Sequence, residues 1–304
     1  MAAIAPILVA GSANLDFVVR AAHIPAPGET VLGREFQTFP GGKGANQAIA
    51  CARAGGVATR MLLALGNDAF AEPIERSLRD AGVHLKIVRV VGAPTGTAFI
   101  CLSDDAENAI TVAPGANAQL RGDDLPGLEH VTHLLLQLET PIASVTAMAQ
   151  RARAAGVTVV LNAAPAQALP AELLDAVDVL IVNAGELAAI VAPTGPAASM
   201  HDALARLAVP CVIVTLGERG CCARTPDGLV TQPAFPVSAL DTTAAGDTFC
   251  GALVAALSEG APLADALRTA SAAAAIACTR LGAQPSIPTR DEVVAFLLAH
   301  PVNP

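Results

Sequence analysis

The sequence predicts an α/β protein, a three-layer (α/β/α) core around a parallel sheet with a small β lid, and three observations carry that expectation. Short apolar runs rich in β-branched residues alternate with longer helical stretches along most of the chain. Of 304 residues, 53% are apolar and only 15% charged, enough to bury a large core. Two stretches, 17–39 and 95–113, break the rhythm with extended, turn-rich sequence.

In chain order, a strand at Ile7–Ala10 precedes a helix over 43–54, and a strand at Met61–Leu65 precedes a helix over 71–81. The strand Val131–Leu138 leads to a helix over 141–155, and Val157–Leu161 to a helical stretch over 171–176. Val179–Val182 is followed by a helix over 185–192, Cys211–Leu216 forms a further strand, and helices fill the chain from 247 onward. Strands that are apolar without interruption are buried on both faces, so the sheet is parallel, with ligands bound beyond its carboxyl ends. Asn14, Asp16, Glu139, Asn183 and Gly217 all fall just after strand ends. Residues 95–113 read as a hairpin turning at Asp104–Asn108; strands outside the main sheet must pair elsewhere, so this hairpin and 17–39 are expected to form the lid. The whole chain, 1–304, is expected to be one domain with the lid inserted in it.

The formal charge of −9 and the absence of Trp and Tyr exclude a basic, aromatic nucleic-acid surface. Any phosphate site must then be locally positive, through Lys43, helix N-termini or bound metal. Seven cysteines without a C-x-x-C pair argue against zinc and disulfide frameworks and for small core residues in a reducing compartment. The apolar runs 4–13 and 270–277 are too short to span a membrane, and no charged signal-peptide start precedes the first. The expectation is a cytoplasmic protein.

The most informative segment is Asp241-Thr-Thr-Ala-Ala-Gly-Asp247, which places a carboxylate where a glycine turn meets a helix. Unpaired N–H groups at a helix start attract anions, and Ala244, Ala245 and Gly246 let a phosphate approach the main chain. Asp247 in the first turn could accept the proton of an attacking hydroxyl, or merely complement the helix dipole. Upstream lies Pro40-Gly-Gly-Lys-Gly-Ala-Asn46-Gln-Ala-Ile-Ala50, whose Gly41–Gly44 is not a Walker A loop, because position 37 is Gln and Gly44 stands where Ser or Thr is needed. No G-x-G-x-x-G follows the first strand, which argues against a dinucleotide-binding dehydrogenase. Asn14 and Asp16 offer an amide and a carboxylate to the same side of an extended backbone, suited to vicinal hydroxyls or to a polar turn.

Together the two long segments resemble the paired signatures of the ribokinase (PfkB) family of carbohydrate and nucleoside kinases. Gly11-Ser-Ala-Asn14-Leu-Asp16, Pro27-Gly-Glu-Thr30, Gln137-Leu-Glu139, Asn183-Ala-Gly-Glu186, Thr215-Leu-Gly-Glu-Arg-Gly220 and Thr279–Ser286 extend the resemblance, in family order, over essentially the whole chain. The resemblance implies ATP-dependent phosphorylation of D-ribose at O5, with 2-deoxyribose, another furanose or a nucleoside as alternative substrates. It implies Asp247 as general base with an anion hole at 244–246, and sugar contacts from Asn14, Asp16, Gly42, Lys43, Asn46 and Glu139. Glu139 otherwise reads as an acid at a helix start, and Asn183 and Glu186 either as organisers of hydrated Mg²⁺ and nucleotide phosphates or as helix-start residues. Thr215, Gly217, Gly220, Gly246 and Ser271 fall to the nucleotide, although relatives often carry His or Asn at the Ser271 position. Asp241, Thr243, Ala277, Arg280, Gly282 and Ser286 align with a loop pair that holds a monovalent cation, K⁺, largely through main-chain oxygens. A homodimer through the lid is also implied.

Overall fold

A computed structural model describes residues 6–105, 108–195 and 197–301. The chain runs through β1 (Ile7–Ala10), β2 (Asn14–Arg20), β3 (Glu35–Gly41), α1 (Lys43–Arg53), β4 (Thr59–Gly66), α2 (Ala71–Asp80), β5 (His84–Val90), β6 (Gly96–Leu102) and β7 (Asn108–Ala113). It continues with β8 (His133–Leu136), α3 (Ile142–Ala154), β9 (Thr158–Asn162), α4 (Ala171–Leu174), β10 (Val179–Asn183), α5 (Ala184–Val191) and α6 (Met200–Ala205). The last part holds β11 (Cys211–Thr215), β12 (Cys221–Thr225), β13 (Gly228–Gln232), α7 (Ala245–Ser258), α8 (Leu263–Cys278) and α9 (Arg290–Ala299).

The main sheet has the order β13-β12-β11-β10-β9-β8-β1-β4-β5, parallel from β11 to β5. Its central strands are apolar without a break because both faces are covered. Along β1, Ile7 and Val9 enter a core shared with α1, α2, α7 and α8, whereas Leu8 and Ala10 enter the opposite one, shared with α3, α5 and α6. Among the described residues no helix is long and apolar enough to cross a membrane.

Two edges differ from the sequence expectation. β12 and β13 add an antiparallel hairpin beside β11, and β5 adds a parallel strand at the far edge. Thr225-Pro-Asp-Gly228 between β12 and β13 is a turn sequence that could have revealed the hairpin. β5 alternates polar and apolar residues as an edge strand does, so it lacks the continuous apolar signal of the strands inside.

The second sheet, β3-β2-β6-β7, is the lid, built from the two stretches that break the α/β rhythm. Its second hairpin pairs Thr97 with Ala113 through Leu102 with Asn108; residues 106 and 107 of the expected turn lie outside the described residues. Asn14 and Asp16 belong to the lid itself: after β1 the chain leaves the main sheet and enters β2 at Asn14.

Candidate active site

The site lies where α1 and α7 meet beneath the lid. Close approach of these helices rests on Gly251, one turn beyond Asp247, because a Cβ there would sit 2.4 Å from the Ala50 Cβ and 2.6 Å from the Gln47 carbonyl. The turn before α1 is equally tight. Gly42 has φ of +90°, and a side chain on it would meet the Ala13 Cα at 2.8 Å. The glycines around Lys43 thus make room for the crossing 11–14 backbone.

Asp247, in the first turn of α7, is buried and accepts two hydrogen bonds from consecutive α1 residues: Asn46 Nδ2 donates to Oδ2 at 3.0 Å and Gln47 Nε2 to Oδ1 at 2.9 Å. Lys43 is near enough for the Asp247 charge, opposed by burial and aided by Glu139 and Glu186, to hold its ammonium above the ordinary lysine range. Ala244 caps α7 in the left-handed region, with φ of 58°. The helical ladder begins with Thr248 N–H donating to Ala244 O, so the Gly246 and Asp247 amides precede it. The Ala245 N–H of the expected anion hole donates to Thr242 O at 3.2 Å, so it is already taken within the turn.

Across the cleft Asp16 shares a lid face with Val18 and Gln37, and a cavity of 190 Å³ lies between this face and the core residues Asp241, Thr243 and Gly282. Burial, with the nearby charges of Glu139 and Asp247, pushes the Asp16 carboxyl up to about 7. Asn14 Oδ1 accepts from Asn117 Nδ2 at 2.8 Å, fixing the amide at the base of the lid. Glu139 starts not the helix after it but α1: its Oε2 accepts from Lys43 N–H at 3.0 Å and from Ser12 Oγ at 2.6 Å.

Asn183 and Glu186 form a reciprocal capping box on α5, Asn183 Oδ1 accepting from Glu186 N–H and Glu186 Oε2 from Asn183 N–H, both at 2.8 Å. Burial raises the Glu186 carboxyl above its ordinary range, against the Asn183 bond and the Lys43 charge, so the pair faces the same electrostatic neighbourhood as Asp247. Register sets Asn183 beside Thr215, whose Oγ1 donates to Val182 O at 3.4 Å; the Gly217–Gly220 turn follows. Ser271 is buried in α8, in contact with Cys221 Sγ at 3.9 Å.

Of the expected cation loops, Asp241 is the tie. It accepts from Thr243 N–H at 2.9 Å, Thr243 Oγ1 at 2.6 Å and Gly282 N–H at 2.9 Å, and these bonds outweigh burial to keep its carboxyl below the usual range. The Arg280 guanidinium turns to Glu292, so Arg280 could offer a cation only its main-chain oxygen, whereas Ser286 Oγ, which donates to Ala283 O, keeps its lone pairs free to accept. The Ala277 carbonyl already accepts from Arg280 N–H. Among the described residues no cluster of His, Cys, Asp and Glu could hold a metal ion by itself.

Sequence reading missed Gln47, Gln284 and Ser12, which touch site residues, and Asn162, which accepts from Gln47 behind them. Gln47 and Gln284 stand inside segments already singled out, and Asn162 ends an apolar strand, a position at which polar residues point to a site.

The chain matches the model of the pfkB family carbohydrate kinases over residues 5–290. It is 38% identical over 298 residues to a ribokinase of Haemophilus influenzae, covering 95% of this chain and 97% of that protein. Among solved structures it resembles Thermotoga maritima ribokinase, with a TM-score of 0.91, 39% identity and coverage of 96% of this chain and 99% of the other. Arabidopsis thaliana ribokinase complexed with ribose and ATP gives a TM-score of 0.88 at 36% identity, covering 96% of this chain and 98% of that one.

Proposed function

The chain belongs to the pfkB family of carbohydrate kinases, and we propose that it transfers the γ-phosphate of ATP to the O5 hydroxyl of D-ribose, giving D-ribose 5-phosphate and ADP. The observation that carries this reading is the Asp247 carboxylate, held at the start of α7 beside Lys43 and opposite the lid carboxylate Asp16. Ribose occupies the cleft under the lid. Asp16 accepts from its vicinal hydroxyls, and Asn14, whose Oδ1 is taken by Asn117, donates through Nδ2. Lys43, Asn46, the Gly42 turn and Glu139 complete the sugar side.

Asp247 takes the O5 proton as O5 attacks the γ-phosphorus in line; the bond from that phosphorus to the bridging oxygen breaks and ADP leaves. The Ala244 and Gly246 amides and Lys43 meet the charge spread over the transferred group. ATP lies along the carboxyl ends of β10 and β11, over Asn183, Thr215 and the Gly217–Gly220 turn toward Ser271. Glu186, with one carboxylate oxygen in the capping box, can hold hydrated Mg²⁺ through water, and the metal neutralises phosphate charge when bound. Main-chain oxygens of 241–243 and of the segment 277–286, drawn together by Asp241, are the donor type K⁺ takes; the ion's part is to order the turn before Gly246. Exposed apolar residues on the lid support a homodimer through it, and free cysteines support a cytoplasmic setting.

Measurement of ADP release across D-ribose, 2-deoxyribose, other pentoses, hexoses and nucleosides tests the substrate. The expected result is the highest kcat/KM with ribose; preference for 2-deoxyribose or a nucleoside overturns ribose while leaving the kinase chemistry. The same assay in K⁺ and in Na⁺ at constant ionic strength checks the cation loops, and equal rates remove them as an activator site.

A further inference from the structure

Two chains of buried amides converge on Asp247, and they end differently. On the Oδ1 side Gln47, fully buried, spends both hydrogens of Nε2, one on Asp247 Oδ1 and one on Asn162 Oδ1, each at 2.9 Å. Asn162 Nδ2 donates in turn to the main-chain carbonyl of Ile181 at 3.2 Å. A backbone carbonyl only accepts, so Asn162 must point its oxygen at Gln47, and Gln47 must point its N–H groups at Asp247. Gln137 Nε2 donates to Gln47 Oε1 at 2.7 Å, closing the last open atom of Gln47. That arrangement strands Gln137 Oε1, which is buried without a partner among the described residues. A stranded buried acceptor costs stability, and its persistence fits a direction imposed from elsewhere in the chain of amides.

On the Oδ2 side Asn46 Nδ2 donates to Asp247, Gln284 Nε2 to Asn46 Oδ1 at 3.2 Å, and Ser77 Oγ to Gln284 Oε1 at 2.5 Å. This chain ends on a hydroxyl, which can either donate or accept, so its direction is free to reverse. The two carboxylate oxygens are therefore inequivalent. Oδ1 faces a donor that cannot turn round, and Oδ2 faces one that can.

We infer that Gln47 is a positioning residue for Asp247, its direction fixed through Asn162 by the Ile181 carbonyl, and that it locks Oδ1 so that Oδ2 is the oxygen that receives the substrate proton. The inference rests on the reading of Asp247 as the base. Gln47 touches neither sugar nor nucleotide in this assignment; it acts through the carboxylate. A donor that cannot reverse holds the plane of the carboxylate against rotation in every cycle.

The test compares Gln47→Leu, Gln47→Glu, Asn162→Leu and Asp247→Asn by steady-state kinetics with ribose and MgATP over pH, with melting temperatures alongside. Loss of one hydrogen bond to a charged group predicts a kcat for Gln47→Leu lowered roughly 10-fold to 100-fold. KM for both substrates should stay within about twofold, and the acid limb of the kcat profile should move to higher pH, because a carboxylate that loses a hydrogen-bond donor protonates more readily. Gln47→Glu keeps the shape and removes the donor, so its acid limb should rise further than that of the leucine variant. Asn162→Leu, which does not touch Asp247, should show the same signature with a smaller amplitude. A role in packing alone predicts the reverse order, with the isosteric Glu milder than Leu and no movement of the acid limb, and that result overturns the inference. An active Asp247→Asn would instead overturn the base itself; an inactive Asp247→Asn with a Gln47→Leu of unchanged kcat and pH profile overturns only the assignment of Gln47. If Gln47→Leu does not fold, the ordering of Gln47→Glu and Asn162→Leu decides alone.

Discussion

Asp16 is a single carboxylate that is costly to the fold and is proposed to read the sugar hydroxyls. Its carboxyl ionises near 7 in the folded protein against an ordinary 3.8, so between those pH values the folded state binds more protons than the unfolded one. Stability attributable to this residue is therefore lost as pH rises from about 4 to about 7. Asp16→Asn keeps the shape without the charge, and denaturant unfolding should find it stabilised by up to about 4 kcal/mol at pH 8, with the gain fading toward pH 4. A gain independent of pH would contradict the shift. The activity of the wild type should fall the other way: kcat/KM for ribose declines below pH 7 as the acceptor is protonated, and Asp16→Asn should lose that acid limb along with most of its preference for ribose over 2-deoxyribose. Sequence alone pairs Asn14 with Asp16 and Lys43 with Asn46, because the residue types and spacing are local. It does not reveal that Gln47 and Asn46 grip the same carboxylate 200 positions away, since long-range side-chain geometry leaves no periodic trace.

At the scale of elements, the N-x-x-E segment serves two purposes that substitution can separate. Asn183 and Glu186 cap α5 reciprocally, and a glutamine at position 186 can still make the return bond. Glu186→Gln should therefore keep the melting behaviour within about 0.5 kcal/mol while weakening MgATP use, whereas Asn183→Ala should lose about 0.5–2 kcal/mol of stability as well. Equal kinetics for Glu186→Gln and wild type would leave the pair a helix cap and nothing more. The interior strands were legible because burial on both faces makes them continuously apolar; β5 and the β12–β13 hairpin were not, because edge strands are read from alternation and turn residues. The lid was legible by exclusion, as two extended stretches with no place in the α/β alternation. That β2 begins at Asn14, and so carries Asn14 and Asp16 itself, was not legible, because the β1–β2 junction, residues 11–13, holds no Gly–Pro or Asn–Gly break.

The whole molecule joins an α/β core to a four-stranded lid with an unfinished surface. Ile110 is 54% and Val112 41% exposed on the lid face that bears Asp16, and Phe36 and Phe99 are exposed on the other. A second copy covering the first pair would finish the cleft roof. Sedimentation of the wild type at twice the chain mass, with Ile110→Glu shifted to the monomer, is the expected outcome; a monomeric wild type contradicts it. The account as a whole turns on Asp247, and the direct measurement is kcat of Asp247→Asn beside its dissociation constants for ribose and ATP. The account predicts kcat reduced by roughly 10²-fold to 10⁴-fold with both dissociation constants near those of the wild type. Near-normal turnover in this variant would contradict the account.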